Sequence, residues 1–290
     1  MNHNLNHRGV IYSADGKTLI KVDYKQFKHE HYSILEGVSH IGANAFHGCS
    51  SLKSIWVPDS VISEEGCLCE QCKNLEQARI SKNIRHPDIA MFNGCVSLKE
   101  VILHEGLISI GENMFSGCKS LKSIKIPNSV KILFNETFCN SGIEEIILPN
   151  GLETIGNDAF LGCYGLKRLT IPSNVKTIGC WLIQAHDSFE GITCHSPYFR
   201  IEDDCLISND NDKLIACWSK SKEFHLPKSV KIVGSICNDV IETIVVDSAL
   251  NLVGRDALIS CTRLKQVIYN APVAHIEPSY NCDHIESKYL

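Results

Sequence analysis

The chain has 290 residues, is 44% apolar and 21% charged, and carries a net charge of −5 at pH 7 from interspersed acids and bases. That balance lacks the basic stripe that phosphate neutralisation requires, so no nucleic-acid partner is expected, and no apolar run approaches the roughly 18 residues of a transmembrane segment. Fifteen cysteines are an odd number that cannot all pair within one chain, which favours reduced thiols in a cytosol-like compartment.

The opening MNHNLNHRGV has no apolar core of a secretory signal, so the sequence as written reads as cytoplasmic. Next, RGVIYSADGKTLIKV at 8–22 alternates apolar and polar residues around an Asp-Gly turn, the pattern of a β-hairpin. Residues 1–29 are therefore expected to form an N-terminal cap.

From residue 30 the chain is repetitive. Cys49, Cys72, Cys95 and Cys118 lie 23 residues apart, and Cys163 lies 45 further on. In step with them run alternating apolar pairs: Tyr32/Ile34, Ile55/Val57, Ala78/Ile80, Val101/Leu103, Ile124/Ile126, Ile146/Leu148, Leu169/Ile171 and Ile192/Cys194. Each pair reads as a very short strand, several of them closed by a proline such as Pro58, Pro127 or Pro149. No such coil can bury a core alone, so residues 30–197 are expected to stack as coils 1–8 of a solenoid with a parallel sheet. Val38, Val61, Leu107, Val130, Leu152 and Val175, with Phe46, Phe92, Phe115, Phe138 and Phe160 on the return side, fill its interior. Gly42, Gly111 and Gly156 share one position that suggests a bend, which Phe134 interrupts at its own coil. Between this bend and the phenylalanine, as in Gly156 to Phe160, a short helical or 3₁₀ turn is expected on the return side.

The recurring cysteines form a cysteine ladder of small core side chains. Coils about 4.8 Å apart do not exclude disulfides by distance, but parallel side chains seldom reach the required dihedral, and free thiols are expected. Cys67, Cys69 and Cys72 have spacing that a zinc site could use, yet no fourth ligand is evident, and the register puts Cys69 at the phenylalanine position. No metal and no cofactor are expected.

Residues 198–221 leave the period. DDCLISNDNDKLIACW at 203–218 alternates around an Asn-Asp turn and reads as an inserted hairpin; its acids lack the glycine and glutamate positions of an EF-hand. Coils 9–11 then occupy 222–276 with the pairs Phe224/Leu226, Ile244/Val246 and Val267/Tyr269, and 277–290 reads as a C-terminal cap. Cys194-His195 and Cys282-Asp283-His284 place a thiol beside an imidazole, but adjacency in sequence does not define a catalytic triad.

In each strand the residue between the two buried ones points to the other face of the sheet. Trp56, Arg79, Ile102, Lys125, Ile147 and Thr170 thus form an outward column and the candidate ligand-binding face, which Val245 would also join. Ser54, Gln77, Glu100, Ser123, Glu145 and Arg168 flank it as a polar rim. Trp56 beside Arg79 is the pairing most suited to recognition, since both residue types are enriched in binding hot spots.

The repeat AF-x-GC-x-x-LK-x-I-x-IP-x-x-V-x-x-IG resembles the leucine-rich repeats of the BspA-like type over residues 30–276. The resemblance implies a right-handed solenoid, found in bacterial surface proteins and some protozoan parasites, that works by non-enzymatic binding. It further implies a protein or glycan ligand, often adhesion to a host or matrix protein, and a cell-surface or secreted location. The thiols and missing signal instead suit an intracellular assembly scaffold. An enzyme or a zinc-binding protein is the weaker expectation.

Overall fold

The structure, a computed structural model, describes residues 5–258, 260–277 and 286–289. Its contacts gather the chain into two compact units, Met1–Gly165 and Leu166–Leu290.

In the first unit the alternating pairs form a parallel sheet in chain order, His31–Ser33, Ser54–Trp56, Gln77–Arg79 and Glu100–Ile102, with Tyr32, Ile55, Ala78 and Val101 in register. Ser123–Lys125 and Glu145–Ile147 make a further parallel pair with the same register. A second set of strands, each two residues long, lies where the sequence suggested only a bend. His40–Ile41 pairs with Ser63–Glu64, and Ser109–Ile110, Ile132–Leu133 and Thr154–Ile155 pair in succession. Between the two sets, Phe46, Phe92, Phe115, Phe138 and Phe160 are fully buried. From Phe92 to Phe160 the rings stack at centroid distances of 5.9, 5.5 and 5.6 Å, with planes within 11° of parallel.

The return side corrects one expectation. No described residue is in an α- or 3₁₀-helix; the segments before and after the phenylalanine are turns. Left-handed residues interrupt the return segments of the first unit, as with Asn113 (φ 55°) and Gly117 (φ 71°) in coil 4. A run of right-handed residues cannot pass through them. The released N–H groups bond between coils: Asn113, Phe115 and Gly117 donate to the carbonyls of Asn135, Thr137 and Cys139 at 3.0, 2.9 and 2.8 Å. A helical turn would consume those same donors internally, so the stacking of coils and the helix are alternatives, and stacking satisfies every second N–H while burying the phenylalanines.

Before the first coil, Leu5–His7, Val10–Tyr12 and Thr18–Val22 form an antiparallel meander whose last strand runs parallel to His40–Ile41. The tight turn at Arg8 and Gly9 has both residues at positive φ, as a two-residue hairpin loop requires.

The second unit repeats this plan. Phe199–Glu202, Cys205–Ser208 and Lys213–Cys217 form a second meander, whose last strand pairs in parallel with Ile232–Val233 and then Leu252–Val253. Arg168–Ile171 pairs with Gly191–Cys194, and Glu223–His225, Thr243–Val246 and Gln266–Tyr269 form a parallel sheet. Glu286–Tyr289 adds one more parallel strand beyond the last expected coil, inside the stretch read as a cap. Much of the 277–290 cap, including Cys282-Asp283-His284, lies outside the described residues.

Candidate functional site

Three-residue strands can place only their middle side chain inward, so the residue after it faces out. Trp56 is 39% exposed and Ile147 86%, with Ile102 and Lys125 exposed between them and Arg79 half-buried. The register sets Trp56 next to Arg79, Arg79 next to Ile102, and Lys125 next to Ile147. Thr170 is exposed on Arg168–Ile171 in the second unit.

Arg79 is held in place. Its Nη2 donates to Asp59 Oδ1 at 2.8 Å and its Nη1 to the Val57 carbonyl at 3.0 Å. Lys82 Nζ lies 3.2 Å from the other Asp59 oxygen. Desolvation opposes ionisation of Asp59, but hydrogen bonds from the Lys82 backbone and from the Lys82 and Arg79 side chains outweigh it and hold the carboxyl at about 2. The guanidinium is thereby fixed, on the strand next to that of Trp56. At the other end of the column a recess of about 390 Å³ is lined by Lys125, Asn128, Ile147 and Pro149.

The rim is not uniform. Gln77 donates to Glu100, and Glu100, Ser123 and Glu145 are exposed, but Ser54 is buried, its hydroxyl 2.8 Å from His31 Nδ1. Val245 is 5% exposed rather than outward. Arg168 of the second unit pairs with Glu190.

All fourteen described cysteines are free thiols. Cys72, Cys95, Cys118 and Cys163 donate to the carbonyls of Phe46, Cys69, Phe92 and Phe138 at 3.0, 3.0, 3.2 and 3.0 Å, each reaching back to the preceding coil. Burial pushes the Cys118 thiol up to about 12 and Cys163 to about 11. Cys118 and Cys163 are packed, protonated groups poorly suited to nucleophilic chemistry. Cys69 and Cys72 lie in the core, while Cys67 sits at a left-handed turn (φ 53°), pushed up to about 11 by partial burial and by Glu70. Among the described residues, no three His, Cys, Asp or Glu side chains converge as metal ligands. Cys194 turns its thiol toward the Ser196 carbonyl, at 3.7 Å, rather than to His195. The acidic loop is used structurally: Asp203 and Asp204 form a left-handed two-residue turn, and Asp212 pairs with Arg200 at 2.8 Å.

A further feature gave no signal in the strand pairs. The inward position of the return-side strands holds Ile41, Ile110, Leu133 and Ile155, but in coil 2 it holds Glu64, and in coil 3 Pro87. Aligning every repeat position, and not only the strand pairs, would have exposed it.

The register of coils, the single outward side chain per strand and the buried return-side phenylalanine together define a leucine-rich solenoid. Residues 21–143 and 132–224 match the profile of the BspA type leucine-rich repeat region. The chain belongs to that family. As a BspA-type array it is a non-catalytic interaction solenoid. Solved structures share the fold. A leucine-rich cell surface protein of Faecalibacterium prausnitzii is 18% identical, with a TM-score of 0.60, covering 98% of this chain and 87% of its own. The Treponema pallidum leucine-rich repeat protein is 22% identical over 67% of this chain and 91% of its own, with a TM-score of 0.53. The pneumococcal vaccine antigen PcpA is 18% identical over 95% and 78%, with a TM-score of 0.50. No curated protein matches the chain. Among the described residues, no helix is long and apolar enough to cross a membrane.

Proposed function

We propose that this BspA-type array binds a protein ligand over the outward sheet face of its first unit. Trp56 and Arg79 form the centre, and Ile102, Lys125 and Ile147 extend the contact surface. The observation that carries the reading is an exposed Trp56 in register with Arg79, whose guanidinium is already fixed by Asp59 and the Val57 carbonyl. A rigid pair of this kind loses little side-chain entropy on binding, and tryptophan and arginine dominate interface energetics. A glycan ligand would use the same aromatic and hydrogen-bonding groups. A cell-surface or secreted setting, with adhesion to a host or matrix protein, is the reading that the family resemblance supports. An intracellular scaffold is the second reading, favoured by the free thiols.

The test is a crosslinking pull-down from native cells with intact protein and with a Trp56→Ala, Arg79→Ala variant. Asp59 keeps Lys82 in that variant, so the fold is expected to persist. A partner held through this pair should bind at least about 30-fold more weakly to the variant, the consequence of losing one hot spot. Equal capture by both proteins would refute the sheet-face reading. Surface labelling of intact cells separates the two settings.

A further inference from the structure

Glu64 and Pro87 interrupt the return side of the first unit and open a notch there. Pro87 has no N–H to contribute, and the return-side ladder stops at coil 3: Ser63–Glu64 and Ser109–Ile110 fall in separate sheets. Glu64 turns its carboxylate into the break. Its Oε1 accepts from the Asp88 N–H and its Oε2 from the Gly66 N–H, both at 2.6 Å, while the residue stays 8% exposed. A carboxylate offers about four acceptor sites, so roughly two remain.

The next position along the return strand is glycine in several coils, including Gly42, Gly111 and Gly156, but Asp88 in coil 3 and Phe134 in coil 5. Gly111 lies between these two. A Cβ there would meet the Asp88 carbonyl oxygen at 2.4 Å, so the backbone is flush with its neighbour and forms a floor. Asp88 and Phe134 stand as walls two coil spacings apart, roughly 9.6 Å. The notch encloses about 510 Å³ and is also lined by Pro87, Ile89 and Glu112. Phe134 and Ile89 are each 43% exposed.

Charge in the notch is uncompensated. Among the described residues, no Lys or Arg pairs with Glu64, Asp88 or Glu112, whereas carboxylates such as Asp59, Glu76, Glu144 and Glu242 have lysine or arginine partners. His86 directs its Nδ1 to Ser109 Oγ at 3.1 Å. A buried acid at an aliphatic repeat position and a phenylalanine exposed at a glycine position both work against stability. Local violations of this kind concentrate at functional sites.

We propose that this notch receives an arginine side chain of a partner polypeptide. The guanidinium stacks on Phe134 and donates to Asp88, Glu112 and the free lone pairs of Glu64, while Pro87 and Ile89 cover its methylenes. Arginine fits better than lysine because its planar, weakly hydrated head can stack and donate at once. The site is independent of the sheet-face reading, since it uses none of the same residues.

The test uses blocked heptapeptides with a single central arginine, lysine or citrulline, titrated into the intact chain and followed by backbone amide NMR. The expected result is that the arginine peptide shifts Asp88, Gly111, Glu112 and Phe134 and binds most tightly. Phe134→Gly, which restores the repeat residue, should weaken it about two- to fivefold, and Asp88→Asn with Glu112→Gln should do so by at least as much. Both variants conserve the fold because the altered side chains lie at the surface. Equal response to citrulline, equal binding of lysine, shifts elsewhere, or unchanged affinity in both variants would each overturn the proposal.

Discussion

Replacing Asp158 by asparagine isolates the electrostatic cost of an acid placed on the return side. Asp158 has φ 56°, at the position that holds Asn44 (φ 58°) and Asn113 (φ 55°) in other coils, so asparagine suits the left-handed backbone at least as well. Burial, and then the charge of Glu136, raises its carboxyl from 3.8 to about 6. In a fully shielded site that difference would be worth roughly 3 kcal/mol; the side chain is partly exposed, and solvent screening brings the figure to about 1 kcal/mol. The folded chain holds this proton more tightly than the unfolded chain. Its contribution is therefore fully present below pH 3.8, and is lost as pH rises through about 6. Asparagine cannot ionise, so Asp158→Asn should match the parent near pH 3.5 and exceed it by about 1 kcal/mol near pH 7. Urea unfolding across that range measures the difference. A variant less stable at neutral pH, or a gap that does not change with pH, would refute the reasoning.

Three further outcomes are expected. Phe115→Ala removes a ring stacked on both sides and should cost about 3–5 kcal/mol in urea unfolding, while Phe134→Gly should stay within about 0.5 kcal/mol. Gly111→Ala brings a methyl to 2.4 Å from the Asp88 carbonyl and should cost roughly 1–3 kcal/mol by the same assay. Cys118 and Cys139, with thiols raised to about 12, should react with a disulfide reagent at pH 8 only after unfolding; rapid labelling of either in the folded protein would contradict their packing.

The sheet strands and their outward column were legible because a two-residue alternation is a local signal repeated at nearly constant spacing. Trp56, Arg79, Ile102, Lys125 and Ile147 all lie on strands read directly from that pattern. The two-residue strands on the return side were missed: a pair such as Ser109–Ile110 carries one apolar side chain and no alternation. Ser54 looked like rim, but a small hydroxyl beside His31 is covered by its neighbour. The notch was missed because Glu64 and Pro87 look like ordinary loop residues until the repeat is aligned at the inward return position.

By itself, the sequence determined the repeat, its register, the buried phenylalanines and the family, all of which depend on residue type at regular spacing. Only the tertiary structure decided where the return-side N–H groups go. In isolation, Gly111 to Gly117 could close a helical turn; in the array, the carbonyls of Asn135, Thr137 and Cys139 stand within 3.0 Å and take those hydrogen bonds instead. The acceptors belong to the next coil, about 22 residues away, and no local propensity encodes that distance.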